Sequence, residues 1–496
     1  MVRIEWPLHI VRRVVLAGVA AAVLAVGGWF AVSWLEDSRA RCGDGVVKRG
    51  EDKECVGVTD GSYVFRGHLT QVERAIEKEN NRVENGGEPY VSVAYMTSLT
   101  LDGTDSNSDE SVRHELQGAY LAQYRHNRGD LAASPKIRLL IANTGGGSDH
   151  WRFTVGELVK RKSTDDRLVA VTGLGPSTDE NRAAVDLLST RGIAMVASTM
   201  TATSIKDIHN FVRVSPTNVD EAYAAAAYLK RKKFRTAVVV QDAAKGNLYA
   251  TTLGSEFTRA FHDPATGHRL VAETMTYDSS VANAWESEMN FMSSQLCDEE
   301  PQVIYFAGRG THLMRFLDAL SNRACQDVEF TVMAGDDTTN LTREQLAAAA
   351  KTQVEVLYTG LAHPDMYRTD PKAVSAPSAR YFTEGGFLDT TFPNNSREDG
   401  QAIMAHDAVL TAARGIQMAA GQGKVTVTGD AVARMFHQMN GGQQVAGASG
   451  FLSFQNNGNP RDKAVPVLRL TATGRAEFVE VSAASGRPRE AGDPGT

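Results

Sequence analysis

The chain has 496 residues, of which 42% are hydrophobic, and a formal net charge of −7. This length exceeds the roughly 250–300 residues at which a single hydrophobic core stops growing, so we expect at least two packed cores. The acidic balance lacks the clustered basic face of a nucleic-acid-binding protein. The 12 histidines are scattered rather than grouped with cysteines, so neither a metal nor a cofactor is predicted.

The amino-terminal segment 14–35 carries no charged side chain. As a helix it would span roughly the 30 Å hydrocarbon core of a membrane. Three arginines precede it and two acidic residues follow it, which predicts a single-pass anchor in the cell membrane with the bulk of the chain extracytoplasmic. We assign 1–40 to the cytoplasmic terminus and this anchor. A cleaved secretory signal is the alternative: the run exceeds the usual length of about 7–15 residues, but Ala31-Val32-Ser33 could serve as a cleavage site.

Four cysteines occur, and none lies in a C-x-x-C pair, which disfavours a metal or redox motif. They fall into two pairs that are local in sequence. We predict the disulfides Cys42–Cys55 and Cys297–Cys325, formed in an oxidising compartment. Four free thiols are the alternative.

Residues 36–60 are polar and rich in glycine, and we predict that 41–88 is a stalk or linker that carries the first cysteine loop. A helix over 69–81 is expected to pack on the first of two α/β lobes. A strand at 90–97 and a polar loop at 98–110 follow. Strands and helices then alternate, which is typical of βαβ units with a parallel sheet. The predicted strands include 168–172, 193–197, 236–241, 270–275, 302–306 and 328–333, and the predicted helices include 151–161, 180–190, 220–231, 247–261, 283–296, 311–321 and 400–421.

This alternation predicts an α/β fold of two Rossmann-like lobes joined by hinge crossovers. We assign lobe 1 to 89–214 and 358–448, and lobe 2 to 215–357 and 449–480. The strand at 357–361 is expected to return to the first lobe. The tail 481–496 is rich in glycine, proline and charged residues, and we expect it to be disordered.

Two hydroxyl-rich loops follow neighbouring strands of the first lobe. One is the turn from Gly173 to Thr178, and the other holds Ser198, Thr199 and Thr201. Ligands bind at the carboxyl edge of an open parallel sheet, so these loops should converge on one small polar ligand. The helix that starts at Thr178 offers free backbone N–H groups to an anion. An ordinary helix cap at Ser177 and Thr178 is the alternative.

These segments resemble the type I periplasmic binding proteins, in particular the family of the leucine/isoleucine/valine-binding protein. The resemblance extends over roughly 88–475 and rests on the order and spacing of six segments: 175–178, 192–195, 211–218, 236–242, 303–308 and 451–459. It implies a clamshell that closes on an amino-acid-like ligand, with an ABC permease as a partner.

The resemblance also implies roles for single residues. Thr199 and Thr201 match positions that hold the polar end of a bound amino acid. Asp336 stands where the family places a carboxylate against the ligand's ammonium group, with Asp337 as the adjacent alternative. Asn218 and Asp242 are further candidates for the cleft.

Arg309 departs from the family pattern, because the leucine-binding members carry an aromatic residue there. An arginine could clamp an acidic ligand with two hydrogen bonds, or it could pair with Asp336. Branched-chain specificity is therefore not predicted.

The sequence does not predict an enzyme. The Gly173-x-Gly175 turn lacks the third glycine of a dinucleotide fingerprint, and Ser177 lacks the last glycine of a nucleophile elbow. We predict an extracytoplasmic solute-binding protein for an ABC transporter, or a sensor. The alternative is a tethered scaffold with a degenerate cleft that contacts protein partners.

Overall fold

The computed structural model describes residues 12–13, 15–19, 40–103, 105–352, 354–393, 397–421, 426–485 and 487–493. Within these ranges the chain forms two eight-stranded sheets, each packed between two layers of helices. The predicted α/β class with parallel sheets is therefore confirmed. None of the described helices has the length and apolarity needed to cross a membrane, and most of the predicted span 14–35 lies outside the described residues.

The first sheet forms the core of lobe 1. Its strands are β1 (Arg41–Gly43), β2 (Val46–Arg49), β3 (Glu54–Thr59), β4 (Tyr90–Thr97), β5 (Lys136–Asn143), β6 (Leu168–Gly173), β7 (Ala194–Ala197) and β8 (Phe211–Arg213). They lie in the order β1-β2-β3-β5-β4-β6-β7-β8. Strands β4 to β8 pair in parallel, and β3 adds to β5 in the antiparallel sense. The parallel strands are buried because helices cover both faces.

The helices of lobe 1 are Thr70–Asn85, Asp109–Asn127, Trp151–Lys160, Asp179–Thr190, Gln401–Ala420 and Gly429–Phe436. The two long central helices, Asp109–Asn127 and Gln401–Ala420, pack on the same face of the sheet. Their backbones touch at Gly118, where an added Cβ would lie 1.9 Å from the carbonyl oxygen of Ala402. Trp151–Lys160 and Asp179–Thr190 cover the opposite face.

The second sheet forms lobe 2. Its strands are β9 (Thr236–Asp242), β10 (Arg269–Leu270), β11 (Met275–Tyr277), β12 (Val303–Ala307), β13 (Thr331–Ala334), β14 (Glu355–Thr359), β17 (Val465–Leu470) and β18 (Ala476–Ser482). The order is β10-β9-β12-β13-β14-β17-β18, with β11 also paired to β9. Strands β9 to β14 are parallel, and β17 and β18 extend the sheet in the antiparallel sense. A separate short hairpin pairs β15 (Val445–Ala446) with β16 (Phe451–Leu452).

Helices also cover both faces of the second sheet. Asn218–Arg231 and Leu248–Phe261 lie on one face, and Trp285–Glu299 and Gly310–Ser321 lie on the other. Shorter α-helices span Arg343–Ala349, Met366–Thr369, Ala376–Ala379 and Phe387–Thr391. Short 3₁₀ helices span Gly67–Leu69, Gly146–Ser148, Arg161–Ser163, Pro264–Thr266, Asp336–Asn340, Ala350–Thr352 and Gly441–Gln443.

The described chain passes between the lobes three times. It passes from β8 to the helix Asn218–Arg231, from β14 to the helix Gln401–Ala420, and from β16 to β17. The first and third crossings lie side by side, since the N–H of Arg213 donates to the carbonyl of Gly458 at 3.0 Å. Several adjacent crossings of this kind form a hinge between two lobes.

Three segments differ from the sequence expectations. The segment 41–88, expected as a stalk, contributes β1, β2 and β3 to the first sheet. Val46, Val56 and Val58 are its buried anchors, and a polar edge meander resembles a linker in composition because most of its other side chains face solvent. The expected helix at 69–81 is present as Thr70–Asn85.

The strand β14 does not return to the first lobe as expected. Instead it pairs with β13 in the second sheet, and Val356 and Tyr358 pack in that core. A short apolar run does not reveal which sheet it joins. The expectation of a disordered tail from residue 481 is also wrong at its start, since β18 extends to Ser482 and the buried Arg489 donates its N–H to the carbonyl of Asp462 at 3.0 Å.

Both predicted disulfides are present. Cys42 in β1 joins Cys55 in β3, and Cys297 near the end of the helix Trp285–Glu299 joins Cys325 in the turn before β13. The first closes the edge meander of lobe 1. The second ties a covering helix of lobe 2 to the sheet beside it, and it restricts the unfolded chain by closing a loop.

Candidate functional site

A polar cleft lies between the two lobes, where loops that follow parallel strands of both sheets face each other. It encloses about 580 Å³. Lobe 1 contributes the loop after β4, the glycine turn after β5 and the turn after β6, whereas lobe 2 contributes the loops after β9, β11 and β12. Residues that line it include Asp102, Asp105, Asp149, Thr178, Glu180, Asn181, Asn247, Ser279, Trp285, Arg309, Thr311 and His312. This is the edge at which open parallel sheets bind ligands.

The two hydroxyl-rich loops of lobe 1 converge, as their sequence predicted. The buried Ser177 hydroxyl accepts hydrogen bonds from the backbone N–H groups of Thr201 and Ala202, each at 3.0 Å. Thr178 begins the helix Asp179–Thr190 and accepts the N–H of Asn181 at 3.3 Å, so it is a helix cap. Of this group, Thr178 lines the cleft, and Ser177 instead joins the loops behind it.

The other hydroxyl and amide candidates lie away from the cleft wall. Thr201 is buried, and its carbonyl accepts the N–H of Asn218 at 2.8 Å across the first crossing. The Asn218 amide group donates to the carbonyl of Tyr249 at 2.8 Å and to the hydroxyl of Thr252 at 2.6 Å, inside lobe 2. Thr199 is half-buried and is not among the residues that line the cleft.

Arg309 connects the lobes in this structure. One guanidinium nitrogen donates to the carboxylate of Asp337 at 3.1 Å, and another donates to the carbonyl oxygen of Ser177 at 3.0 Å. The same group lies over the ring of Tyr249, 5.0 Å from its centroid. Arg309 therefore pairs with Asp337 rather than with Asp336, and its charge is balanced within the protein.

Asp336 does not open into the cleft. It is 6% exposed and lies beside Glu221, whose carboxylate accepts the Asp336 N–H at 3.2 Å and the Thr359 hydroxyl at 2.9 Å. Burial, together with the neighbouring charge of Asp337, raises the pKa of Asp336 to about 7. The position that the resemblance assigned to a ligand's ammonium group is thus occupied by an internal carboxyl pair.

Asp242 organises the lobe 2 side of the cleft. Its carboxylate accepts hydrogen bonds from the Ala244 N–H at 3.0 Å, the Asn247 side chain at 2.8 Å and the Ser279 hydroxyl at 2.6 Å. Burial alone would raise the pKa of Asp242, but these hydrogen bonds outweigh burial and lower it. The carboxylate joins the loops after β9 and β11, so it supports the wall rather than contacting the cleft.

The cleft also has an acidic wall and an aromatic wall, neither of which was predicted from the sequence. Asp102 and Asp105 come from the polar loop 98–110, and Asp105 accepts the N–H of Gly147 at 3.0 Å. Burial raises the pKa of Asp105. On the other side Trp285 lies 4.9 Å from the ring of His312, whose pKa burial lowers, so that its neutral form is favoured. The sequence feature that could have indicated these cleft residues is the position of their polar loops directly after predicted strands.

Comparison with solved structures supports the fold assignment. A leucine-binding protein from Thermotoga maritima superimposes with a TM-score of 0.59 at 17% identity, covering 79% of this chain and 98% of its own. A Desulfitobacterium hafniense ABC transporter substrate-binding protein in complex with leucine gives 0.58 at 16% identity, covering 79% and 100%. A Rhodopseudomonas palustris solute-binding protein in complex with 3,4-dihydroxybenzoic acid gives 0.55 at 12% identity, covering 80% and 98%.

No protein-family model matches the chain, and no curated protein matches it in sequence. The identities to the solved structures are low, so these similarities establish the fold. The chain therefore has the two-lobed fold of the type I periplasmic binding proteins, which it shares with substrate-binding proteins of ABC transporters.

Proposed function

We propose that this protein is an extracytoplasmic solute-binding protein that captures a small polar ligand, an amino acid or a related compound, between its lobes. The observation that carries the proposal is the polar cleft of about 580 Å³ at the carboxyl edges of both sheets. Solved proteins of the same fold are described in complex with leucine and with 3,4-dihydroxybenzoic acid. Binding, rather than catalysis, is the role that this cleft supports.

The charges of the two walls favour a ligand that carries an ammonium group. Asp102, Asp105, Asp149 and Glu180 line the lobe 1 side. On the lobe 2 side, Arg309 is balanced by Asp337. A carboxylate that faces a cation in a closed cleft forms a charge-assisted hydrogen bond, roughly twice as strong as a neutral one. The hydroxyl and amide donors of both walls can receive the ligand's carboxylate.

A membrane tether and a partner permease belong to this proposal. The uncharged segment 14–35 would hold the lobes at the outer surface of the cell membrane, where a captured solute can be passed to an ABC permease or reported to a sensor. Recovery of the full chain in the membrane fraction, with its lobes accessible to external protease, is the expected result. A chain that remains inside intact cells would contradict this location.

A second candidate function is a protein-binding scaffold whose cleft no longer takes a small molecule. It is favoured by the pairing of Arg309 with Asp337 and Ser177, which links the lobes with protein groups alone. The burial of Asp336 beside Glu221 also favours this function, because its carboxyl group faces protein groups rather than the cleft.

A ligand screen separates the two functions. The detergent-solubilised full chain would be heated in the presence of amino acids, small peptides, sugars and purines. A ligand that binds only the folded protein raises the melting temperature by mass action. We expect a rise with one class of amino-acid-like compound, and a flat response across a well-folded sample would favour the scaffold.

Trp285→Ala tests whether the ligand lies in this cleft. Removal of an aromatic wall should weaken binding of the compound found in the screen by about 10-fold or more, which corresponds to about 1.4 kcal/mol. Phe291→Ala is the matched control, because Phe291 lies on the same helix, is 65% exposed and is not among the residues that line the cleft. Equal affinities of the two variants, measured by calorimetric titration, would place the ligand elsewhere.

A further inference from the structure

Two buried carboxyl groups meet at the carboxyl edge of the second sheet, where the helix Asn218–Arg231 faces the ends of β13 and β14. Glu221 accepts the Asp336 N–H at 3.2 Å and the Thr359 hydroxyl at 2.9 Å through the same oxygen, Oε2. Glu221 is fully buried and Asp336 is 6% exposed. One oxygen of each carboxyl group, Glu221 Oε1 and Asp336 Oδ1, has no hydrogen-bond partner among the described residues, although the two side chains interact with each other. A buried acceptor without a partner is costly unless it carries a proton.

The titratable groups that face this pair are tyrosines and a further carboxylate. Tyr249, from the helix Leu248–Phe261, and Tyr305, from β12, lie beside it, and burial raises both of their pKa values well above the ordinary range. Asp337 adds a second negative charge beside Asp336. Two adjacent carboxylates in a site of low dielectric resist ionising together, so the pair keeps at least one proton at neutral pH and titrates as a unit.

The pair is connected to the contact between the lobes through one residue of backbone. Asp337 directly follows Asp336. Its carboxylate accepts one hydrogen bond from the guanidinium of Arg309 and another from the N–H of Gly310, the latter at 2.6 Å. Arg309 also donates to the Ser177 carbonyl of lobe 1. While Asp336 is neutral, Asp337 is the carboxylate that Arg309 faces. When Asp336 ionises, a second negative charge competes for the same guanidinium.

We propose that the Glu221–Asp336 pair is an internal protonation site that controls the contact of Arg309 with lobe 1. In the protonated form Arg309 is shared between Asp337 and the Ser177 carbonyl, and the lobes are held together. Loss of a proton draws the guanidinium toward lobe 2 and breaks its hydrogen bond to Ser177, so the lobes separate more readily. The protein would then hold its cleft closed in mildly acidic surroundings and open it as the pH rises.

The raised pKa of Asp336 determines whether the lobe contact strengthens or weakens as the pH rises. Burial raises the pKa of Asp336 above its value in the unfolded chain, where the carboxyl group ionises near pH 4. The folded state therefore binds more protons than the unfolded state between that value and neutrality. Both the stability contributed by this site and the lobe contact are greatest on the acidic side and decline as the pH rises through neutrality.

The test follows the distance between fluorophores on the two lobes of the ligand-free full chain, from about pH 5.5 to about pH 8.5, a range that brackets the raised pKa. We expect the wild-type protein to open with a midpoint near neutrality. Asp336→Asn, which is neutral at every pH, should remain closed across the range, and Arg309→Gln should be open throughout. The double variant Glu221→Gln/Asp336→Asn removes both titrating groups and is expected to behave like Asp336→Asn.

Glu73→Gln is the matched control. Glu73 is another fully buried carboxyl group, but it lies in lobe 1, where it accepts the N–H of Phe65. Its substitution should leave the pH-dependent opening unchanged. A wild-type distance that does not change with pH, or an opening that persists in both Asp336 variants, would overturn the proposal. The experiment uses no ligand, so its failure is distinguishable from failure of the proposed binding function.

Discussion

At the scale of single residues, the polar side chains beside the cleft are held by tertiary contacts to other protein groups. Ser177 and Thr201 are adjacent, as the two loops predicted, yet Ser177 uses its hydroxyl to join those loops. Asp336 and Asp337 are neighbours in sequence but face different directions, one toward Glu221 and the other toward Arg309. Which of two adjacent aspartates meets a distant arginine depends on the tertiary fold, and no local pattern contains that information.

The buried carboxyl group of Glu73 should make the free energy of unfolding depend on pH. Burial raises the pKa of Glu73 to about 8, so the folded chain keeps a proton that the unfolded chain releases near its ordinary pKa. The stability that Glu73 contributes is therefore present at low pH and lost as the pH rises toward about 8. Glu73→Gln should gain stability relative to wild type between about pH 5 and about pH 8, by at most about 1.4 kcal/mol per pH unit.

Urea unfolding of both proteins at the two ends of that pH range measures this difference. The substituted glutamine side chain keeps an oxygen that can accept the N–H of Phe65, so the backbone contact made by Glu73 is retained. A stability difference between the two proteins that is the same at both pH values would contradict the assignment of a raised pKa to this carboxyl group.

At the scale of secondary-structure elements, the strand and helix alternation was readable from sequence and the sheet edges were not. The central strands contain continuous apolar runs bounded by turn residues. Each of these segments is a fully buried strand in the structure. The meander of β1 to β3 is short, polar and exposed on one side, so composition alone suggested a linker. An edge strand of this kind can be identified only from the strand with which it pairs, and that pairing cannot be derived from the sequence.

Gly118 provides a prediction about helix packing. It lies within the helix Asp109–Asn127, where alanine would ordinarily be favoured by up to about 1 kcal/mol. Here an added Cβ would lie 1.9 Å from the Ala402 carbonyl oxygen. Gly118→Ala should therefore destabilise the protein by roughly 1–3 kcal/mol, because the two central helices of lobe 1 must move apart.

Gly156→Ala is the control for that substitution. Gly156 lies in the helix Trp151–Lys160, and an added Cβ would meet no atom within 4 Å. This variant should be neutral or more stable, by roughly 0.5–1 kcal/mol. Chemical denaturation of both variants measures the two effects, and equal stabilities would show that the two central helices do not pack as described.

At the scale of the whole molecule, two lobes, the crossings between them that the described residues form and a shared cleft explain why the solute-binding interpretation is favoured. The order of strands and helices predicted the clamshell because each βαβ unit requires a parallel sheet. The charge of the cleft could not be predicted, since its walls come from six loops that are distant in sequence. The contact of Arg309 with Ser177 could not be predicted either, because it joins residues 132 positions apart.

The proposed function requires the two lobes to close on a small polar ligand. Small-angle X-ray scattering measures this closure on the full chain in detergent, with and without each compound of the amino-acid panel. The pH is fixed above neutrality, where the ligand-free lobes are expected to be open. We expect one class of ammonium-bearing compound to lower the radius of gyration and to raise the melting temperature of the same sample. A radius of gyration and a melting temperature that stay unchanged across the whole panel would contradict it.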